Sequence, residues 1–206
     1  MIGSIARLRH EQDALYELLY GLAHQFVGLK RVGVVDYTLM LDILKYLTRY
    51  ADRYQHPSAV FLYKRLIERH PEGAPAVQSI VEEYQGLAAR GRELHAQVLA
   101  AAWDNDFSRV ALCKSGFAYL YQYIGHLQNE EIDVIKVAAR YLTPIDWLQI
   151  DTAFHWSKGQ LFEYDAGTGY QSLRVRIKVI DGDTTPAPAP REYSPCRAIQ
   201  ISAFPA

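Results

Sequence analysis

Residues 3–29 read "GSIARLRHEQDALYELLYGLAHQFVGL". Apolar side chains recur there in steps of three and four, at Ile5, Leu8, Leu15, Leu19, Leu22, Phe26 and Leu29. That spacing lines one face of an α-helix and excludes the alternation of a strand. One step in the rhythm is missing: position 12 carries Gln12. The stretch therefore predicts a helix that places an amide on its own core face.

Similar patterns follow outward from it. "VGVVDY" (32–37) interrupts the chain, and a second helix is expected over 37–54, with Met40, Leu44, Leu47 and Ala51 on one side. Pro57 restarts a short helix to about His70, and "HPEGAP" (70–75) reads as loop. A helix over 75–102 carries the stripe Val77, Ile80, Tyr84, Leu87, Gly91, Leu94 and Val98. After "DNDFS" (104–108) a long helix is expected to about Leu142, with Leu112, Gly116, Tyr119, Tyr123, His126, Glu130, Val134 and Val137 in line. "TPIDW" then starts a helix to about Trp156, with Thr143 as N-cap, Pro144 at the first position and Asp146 at the third.

Four long amphipathic segments joined by short loops predict an all-α chain, an up-down-up-down four-helix bundle over residues 1–160. Residues 161–180 form an extension expected to pack on the bundle. Its "SLRVRIKVI" (172–180) alternates, and fits either a strand or a short C-terminal helix. Residues 181–206 begin "DGDTTPAPAPREYSPC", the composition of a flexible tail.

The chain has 206 residues, half of them apolar, and a net charge of −1, which suits a single domain with a real core. Near-neutral charge without a basic run argues against nucleic acid as the partner. No apolar stretch reaches the ~20 residues that span a bilayer, and the first residues show no secretory segment, so a cytoplasmic protein is expected. Cys113 and Cys196 lie far apart and read as free thiols. Fifteen tyrosines, many inside helices, require hydrogen-bond partners in the core.

The polar residues on the apolar stripes are the informative ones. Gln12, Tyr84, His126 and Glu130 come from three different helices, and Gln55 joins them by its spacing to Ala59, Leu62 and Leu66. His126 and Glu130 are four apart, so an imidazole and a carboxylate share one helix face. A polar group on such a stripe is costly unless it is hydrogen-bonded or ligated. The set therefore reads either as a buried hydrogen-bond network or as a small polar or metal site.

Several segments, among them "RLRHEQDAL", "DYTLMLDILKYLTRYADRYQHP", "EEYQGLAARGRELHAQVL" and "YIGHLQNEEIDVIKVAARYLTPIDWLQID", resemble the bacterial hemerythrin-like (HHE cation-binding) proteins. The resemblance runs from about residue 4 to 178 and implies a four-helix bundle around a non-haem di-iron centre that meets O₂, NO or reactive oxygen. Position by position, however, the implied ligands are altered. The family's Glu-His on the first helix is Glu11-Gln12 here, and its His-His-Pro-x-Glu is "QHPSA", with Gln55 and Ala59 at the ligand positions. Its Glu-His on the third helix is Glu83-Tyr84; only His126-x-x-x-Glu130 is kept. The proline that follows in the family is absent, Lys136 standing in "VIKVAA".

Glutamine is a weak neutral ligand and alanine is none, so a di-iron centre is not expected. His10 lies about 200° round the helix from Gln12, and His56 about 100° from Gln55, so neither replaces the lost imidazoles without a kink. The leading expectation is a metal-free pocket, with no cofactor. In it Tyr84, Gln12 and Gln55 donate to Glu130, which pairs with His126. The role is then structural, sensory or ligand-binding, with no catalytic residues; a small organic ligand would sit among Tyr84, Tyr119, Tyr123 and His126. The alternative is a mononuclear iron or zinc site on His126, Glu130 and Tyr84, with His56 as a further candidate, in an O₂- or NO-responsive protein or an oxidoreductase. The partner is then a small molecule or metal ion, and the sequence leaves monomer and homo-oligomer both open.

Overall fold

The computed structural model describes residues 2–31, 35–54, 56–103, 107–161 and 166–180. Side chains are described for these residues except 2–4, 7, 49–54, 56–59, 153–161, 166–169 and 180. The expected tail, 181–206, lies outside them.

Every regular element in the described residues is helical: α1 Ile2–Arg31, α2 Tyr37–Tyr54, α3 His56–Arg69, α4 Ala74–Trp103, α5 Arg109–Glu130, α6 Lys136–Tyr141, α7 Pro144–Leu161 and α8 Ala166–Ile180. The all-α expectation therefore holds. The breaks come where the sequence carries stop and start chemistry. Asp36 accepts the Leu39 amide at 2.8 Å and opens α2. Pro71–Gly73 forms one 3-10 turn between α3 and α4, shortening the expected loop. Ser108 caps α5 through the Ala111 amide. Between α6 and α7, Asp146 accepts from the Thr143 hydroxyl at 2.6 Å and from its amide at 2.9 Å, a reciprocal capping box.

One expectation is corrected, and one alternative left open is decided. Residues 109–141 are not one α-helix. A π-turn, Glu131–Ile135, separates α5 from α6 and adds one residue to the turn. The inward face then shifts by one position, and Ala138 is fully buried where the straight-helix stripe had Val137. Of the two readings of 172–180, the structure shows the short C-terminal helix. In α8 the alternation is outweighed by Leu173 and Ile177, which lie one turn apart on a single buried face.

Helix α2 packs on α4, α4 on α5, α5 on α1 and α1 on α2, while α3 lies against α7. Close approach is set by small residues. A Cβ at Gly116 would enter the Phe26 ring, so α1 and α5 meet there backbone to ring. A Cβ at Gly21 would stand 2.6 Å from Ile177, which seats α8 on α1. The seat is completed by Tyr170 donating to Glu17 at 2.6 Å, Arg174 beside the same carboxylate at 2.9 Å, and Arg176 gripping Asp36 and Asp42.

The apolar interior is divided. The larger core includes Leu15, Leu18, Phe26, Leu44, Leu87, Tyr119, Tyr123 and Leu127. A second core joins Leu62, Tyr63, Leu66, Val77, Ile80, Val134, Ala138, Leu142, Trp147 and Ile150. Arg69 clamps the second core from outside, donating to both oxygens of Asp146 at 2.9 and 3.0 Å. The guanidinium, helped by Thr143 and opposed by burial, holds the Asp146 carboxyl well below the ordinary carboxylate range. A carboxylate whose folded pKa is depressed stabilises the fold above its unfolded value, and that contribution is lost as the pH falls through the folded value. Thermal melting between pH 5 and 2 should therefore steepen below about pH 4. Asp146→Asn should be less stable at pH 7 and show a shallower acid slope; an unchanged slope would refute the assignment. No described helix is long and apolar enough to cross a membrane.

Candidate functional site

The two cores are separated by a layer of polar side chains at one level of the molecule. In α1, Gln12 falls between Leu8, packed on the second core, and Leu15, in the larger one. In α4, Glu83 and Tyr84 fall between Ile80 and Leu87 in the same way. In α5, His126 and Glu130 occupy the passage between Tyr123 and Val134. Tyr63 reaches the layer from α3. The π-turn starts one residue after Glu130, so the irregular backbone lies where the chain leaves the polar layer for the second core.

Glu130 is the hub. Its Oε2 accepts from Gln12 Nε2 at 3.1 Å and its Oε1 from the Tyr63 hydroxyl at 3.0 Å. Burial first, and the adjacent Glu130 carboxylate second, push the Tyr63 phenol far above its ordinary range, so it remains a neutral donor. His126 does not pair with Glu130 as expected. Its Nδ1 lies 3.3 Å from Glu83 Oε2, and Asn129 Nδ2 donates to the same carboxylate at 3.2 and 3.4 Å. A carboxylate facing Nδ1 places the proton there and leaves Nε2 as a bare acceptor in the neutral ring. That Nε2 is buried with no hydrogen-bond partner among the described residues. The Tyr123 hydroxyl is in the same position.

The rings pack closely. Tyr84 lies 5.5 Å from the His126 ring, Tyr123 meets it edge-on at 6.4 Å, and Tyr119 meets Tyr123 edge-on at 5.7 Å. Burial, reinforced by the neighbouring tyrosines and Glu130, drives the Tyr123 phenol well up; burial alone raises Tyr119. Both phenols are therefore neutral and not anionic ligands.

Of the residues expected at the site, the structure brings Gln12 and Glu130 into contact and sets Tyr84 and Tyr123 against His126, with Tyr119 behind Tyr123. Gln55 lies outside the described residues, as do the side chains of His56 and Ala59. His10 is exposed, as its helical phase predicts. Two members escaped sequence reasoning. Tyr63 follows Leu62, which already filled the α3 stripe, yet it lies one turn after Ala59 and is buried. Glu83 is next to Tyr84 and was not among the candidate site residues, but it reaches His126 from the layer's edge.

Of the positions where the resemblance implies iron ligands, Gln55 and the Ala59 side chain lie outside the described residues, and Glu130 accepts a hydrogen from an amide on one oxygen and from a phenol on the other. No group of three or more His, Cys, Asp or Glu among the described residues is placed to hold a metal ion. Compared with protein-family models, with curated proteins and with solved structures, the chain finds no match.

Proposed function

We propose that this chain is a hemerythrin-like four-helix bundle that does not assemble a di-iron centre and instead uses its polar layer as a ligand-responsive hydrogen-bonded core. The fold half of this reading rests on the motifs quoted above and on the ring of contacts among α1, α2, α4 and α5. The functional half rests on one observation: His126 Nε2 and the Tyr123 hydroxyl are buried and have no hydrogen-bond partner among the described residues. Each unmet polar group costs about 1–3 kcal/mol, which a small molecule bridging them recovers. Such a molecule donates to Nε2 and accepts from Tyr123. Water meets the requirement, and a small protic solute competes for the same place. The role is sensory or structural, with no reaction attached, in a cytoplasmic protein whose near-neutral charge fits neither nucleic acid nor an anionic membrane.

The unpartnered Nε2 also supports a second reading, one iron or zinc ion on His126 with Tyr84 and Glu130. That arrangement requires Glu130 to release Gln12 or Tyr63. One experiment separates the two. Protein expressed in iron- and zinc-supplemented medium is analysed for metal, and its ¹⁵N-histidine spectrum is recorded. The metal-free reading expects less than a tenth of an equivalent of metal and a proton on His126 Nδ1, facing Glu83. About one equivalent of metal, lost in His126→Ala, would overturn it.

A further inference from the structure

Away from the polar layer, where the start of α2 meets the end of α4, the surface opens into a groove of about 760 Å³. Its walls include Val35, Tyr37, Leu41, Leu99, Ala102 and Trp103. Val35, Tyr37 and Leu41 are half-buried and pack on the larger core, so the floor of the groove continues the interior. The rim is open to water: Trp103 is 86 % exposed and Leu99 43 %. Large apolar side chains gathered at one exposed place mark a docking surface.

Helix α8 points at this groove. Tyr170 packs on Tyr46, ring centres 6.1 Å apart, whereas Arg176 reaches Asp42 at 2.6 Å and, further toward the start of α2, Asp36 at 3.1 Å. The helix thus advances along α2 toward its first residues, and Asp36 belongs to the groove wall. Ile180, where α8 ends, is one turn past Arg176, about 6 Å along the helix. The chain therefore leaves α8 beside the groove.

Beyond Ile180 the sequence is polar and rich in proline, and its large aliphatic and phenylalanine side chains all fall in "AIQISAF" (198–204), at Ile199, Ile201 and Phe204. Eighteen residues separate Ile180 from Ile199, and a coil of that length spans about 23 Å on average. A segment on such a tether meets a nearby site at an effective concentration in the millimolar range.

We propose that the groove is the docking site of this chain's own segment 198–204. Ile199, Ile201 and Phe204 lie on Leu41, Leu99, Ala102 and the Trp103 ring, extending the larger core across the ends of α2 and α4. The attraction is removal of apolar surface from water, so it requires no net charge on either wall. While the segment is in place, this face is closed to other partners. The site is independent of the polar layer and of its metal content.

A nitroxide label on the full chain tests the proposal. In Cys113→Ala the single thiol is Cys196, three residues before Ile199. The paramagnetic label should remove most of the intensity of the Trp103 indole and of the Leu41 and Leu99 methyl resonances, and leave the Trp147 indole unaffected. Ile201→Asp should restore those signals. Independently of the label, Ile201→Asp in the otherwise unaltered chain should speed amide exchange over residues 99–103 and leave α7 unchanged. Attenuation spread evenly over the surface, attenuation that Ile201→Asp does not relieve, or unchanged exchange at the end of α4 would overturn the proposal. So would attenuation that appears when labelled chain is mixed with isotope-enriched chain bearing no label, which would assign the groove to the segment of a second copy.

Discussion

Trp147→Ala is expected to be the most damaging single substitution in the second core, lowering stability by about 3–5 kcal/mol. Trp147 is fully buried among Leu62, Leu66, Val134, Leu142 and Ile150. Its indole N–H has no hydrogen-bond partner among the described residues, so the loss is one of packing alone. At this chain length the loss corresponds to a melting-temperature drop of about 10 °C. Because a polar layer divides the two cores, the damage should also be local. Hydrogen exchange in the variant should accelerate first in α3, α6 and α7, with α1 and α5 amides of the larger core still protected. A uniform acceleration along the chain would mean that the two cores unfold as one unit.

Removing the Glu130 carboxylate should come second, and the two ways of removing it should differ. Glu130→Leu leaves the Gln12 amide and the Tyr63 hydroxyl without their acceptor and should cost about 2–4 kcal/mol by chemical denaturation. Glu130→Gln keeps an acceptor oxygen, and the Tyr63 hydroxyl rotates to accept from the new amide. It should stay within about 1 kcal/mol of the parent, since it also removes an ion from a half-buried site. Equal damage from both would mean that the negative charge itself is required. That outcome would favour a bound cation at Glu130 and count against the hydrogen-bonded layer.

Much of this architecture was legible because helices advertise their faces. The apolar rhythm of 3–29 anticipates α1, Thr143-Pro144-Ile145-Asp146 anticipates the start of α7, and the amide of Gln12 was placed on the face where it meets Glu130. The remainder depends on tertiary detail that periodicity does not encode. A π-turn adds one residue without changing composition, so nothing in "EEIDVI" announces that the inward face moves from Val137 to Ala138. His126 was assigned to Glu130 because they share a face of α5. The ring chose Glu83 on α4, because hydrogen bonding across helices depends on interhelical distance, which a single helix's phase does not supply. Tyr63 was hidden by Leu62, since adjacent positions can both reach a wide buried face. For α8, alternation and helical spacing coexist in "SLRVRIKVI", and only the presence of Gly21 opposite Ile177 decides between them.

The seat of α8 on α1 also bears on how the protein is made. Helix α1 emerges from the ribosome before any of its packing partners, and Tyr170, which closes on Glu17, follows 153 residues later. Until then the notch at Gly21 stays wet and the Glu17 carboxylate lacks Tyr170 and Arg174. Contacts separated by so much chain are the slowest to form. Helix α1 is therefore among the last to be fully covered, because the partner that closes this face lies so far along the chain.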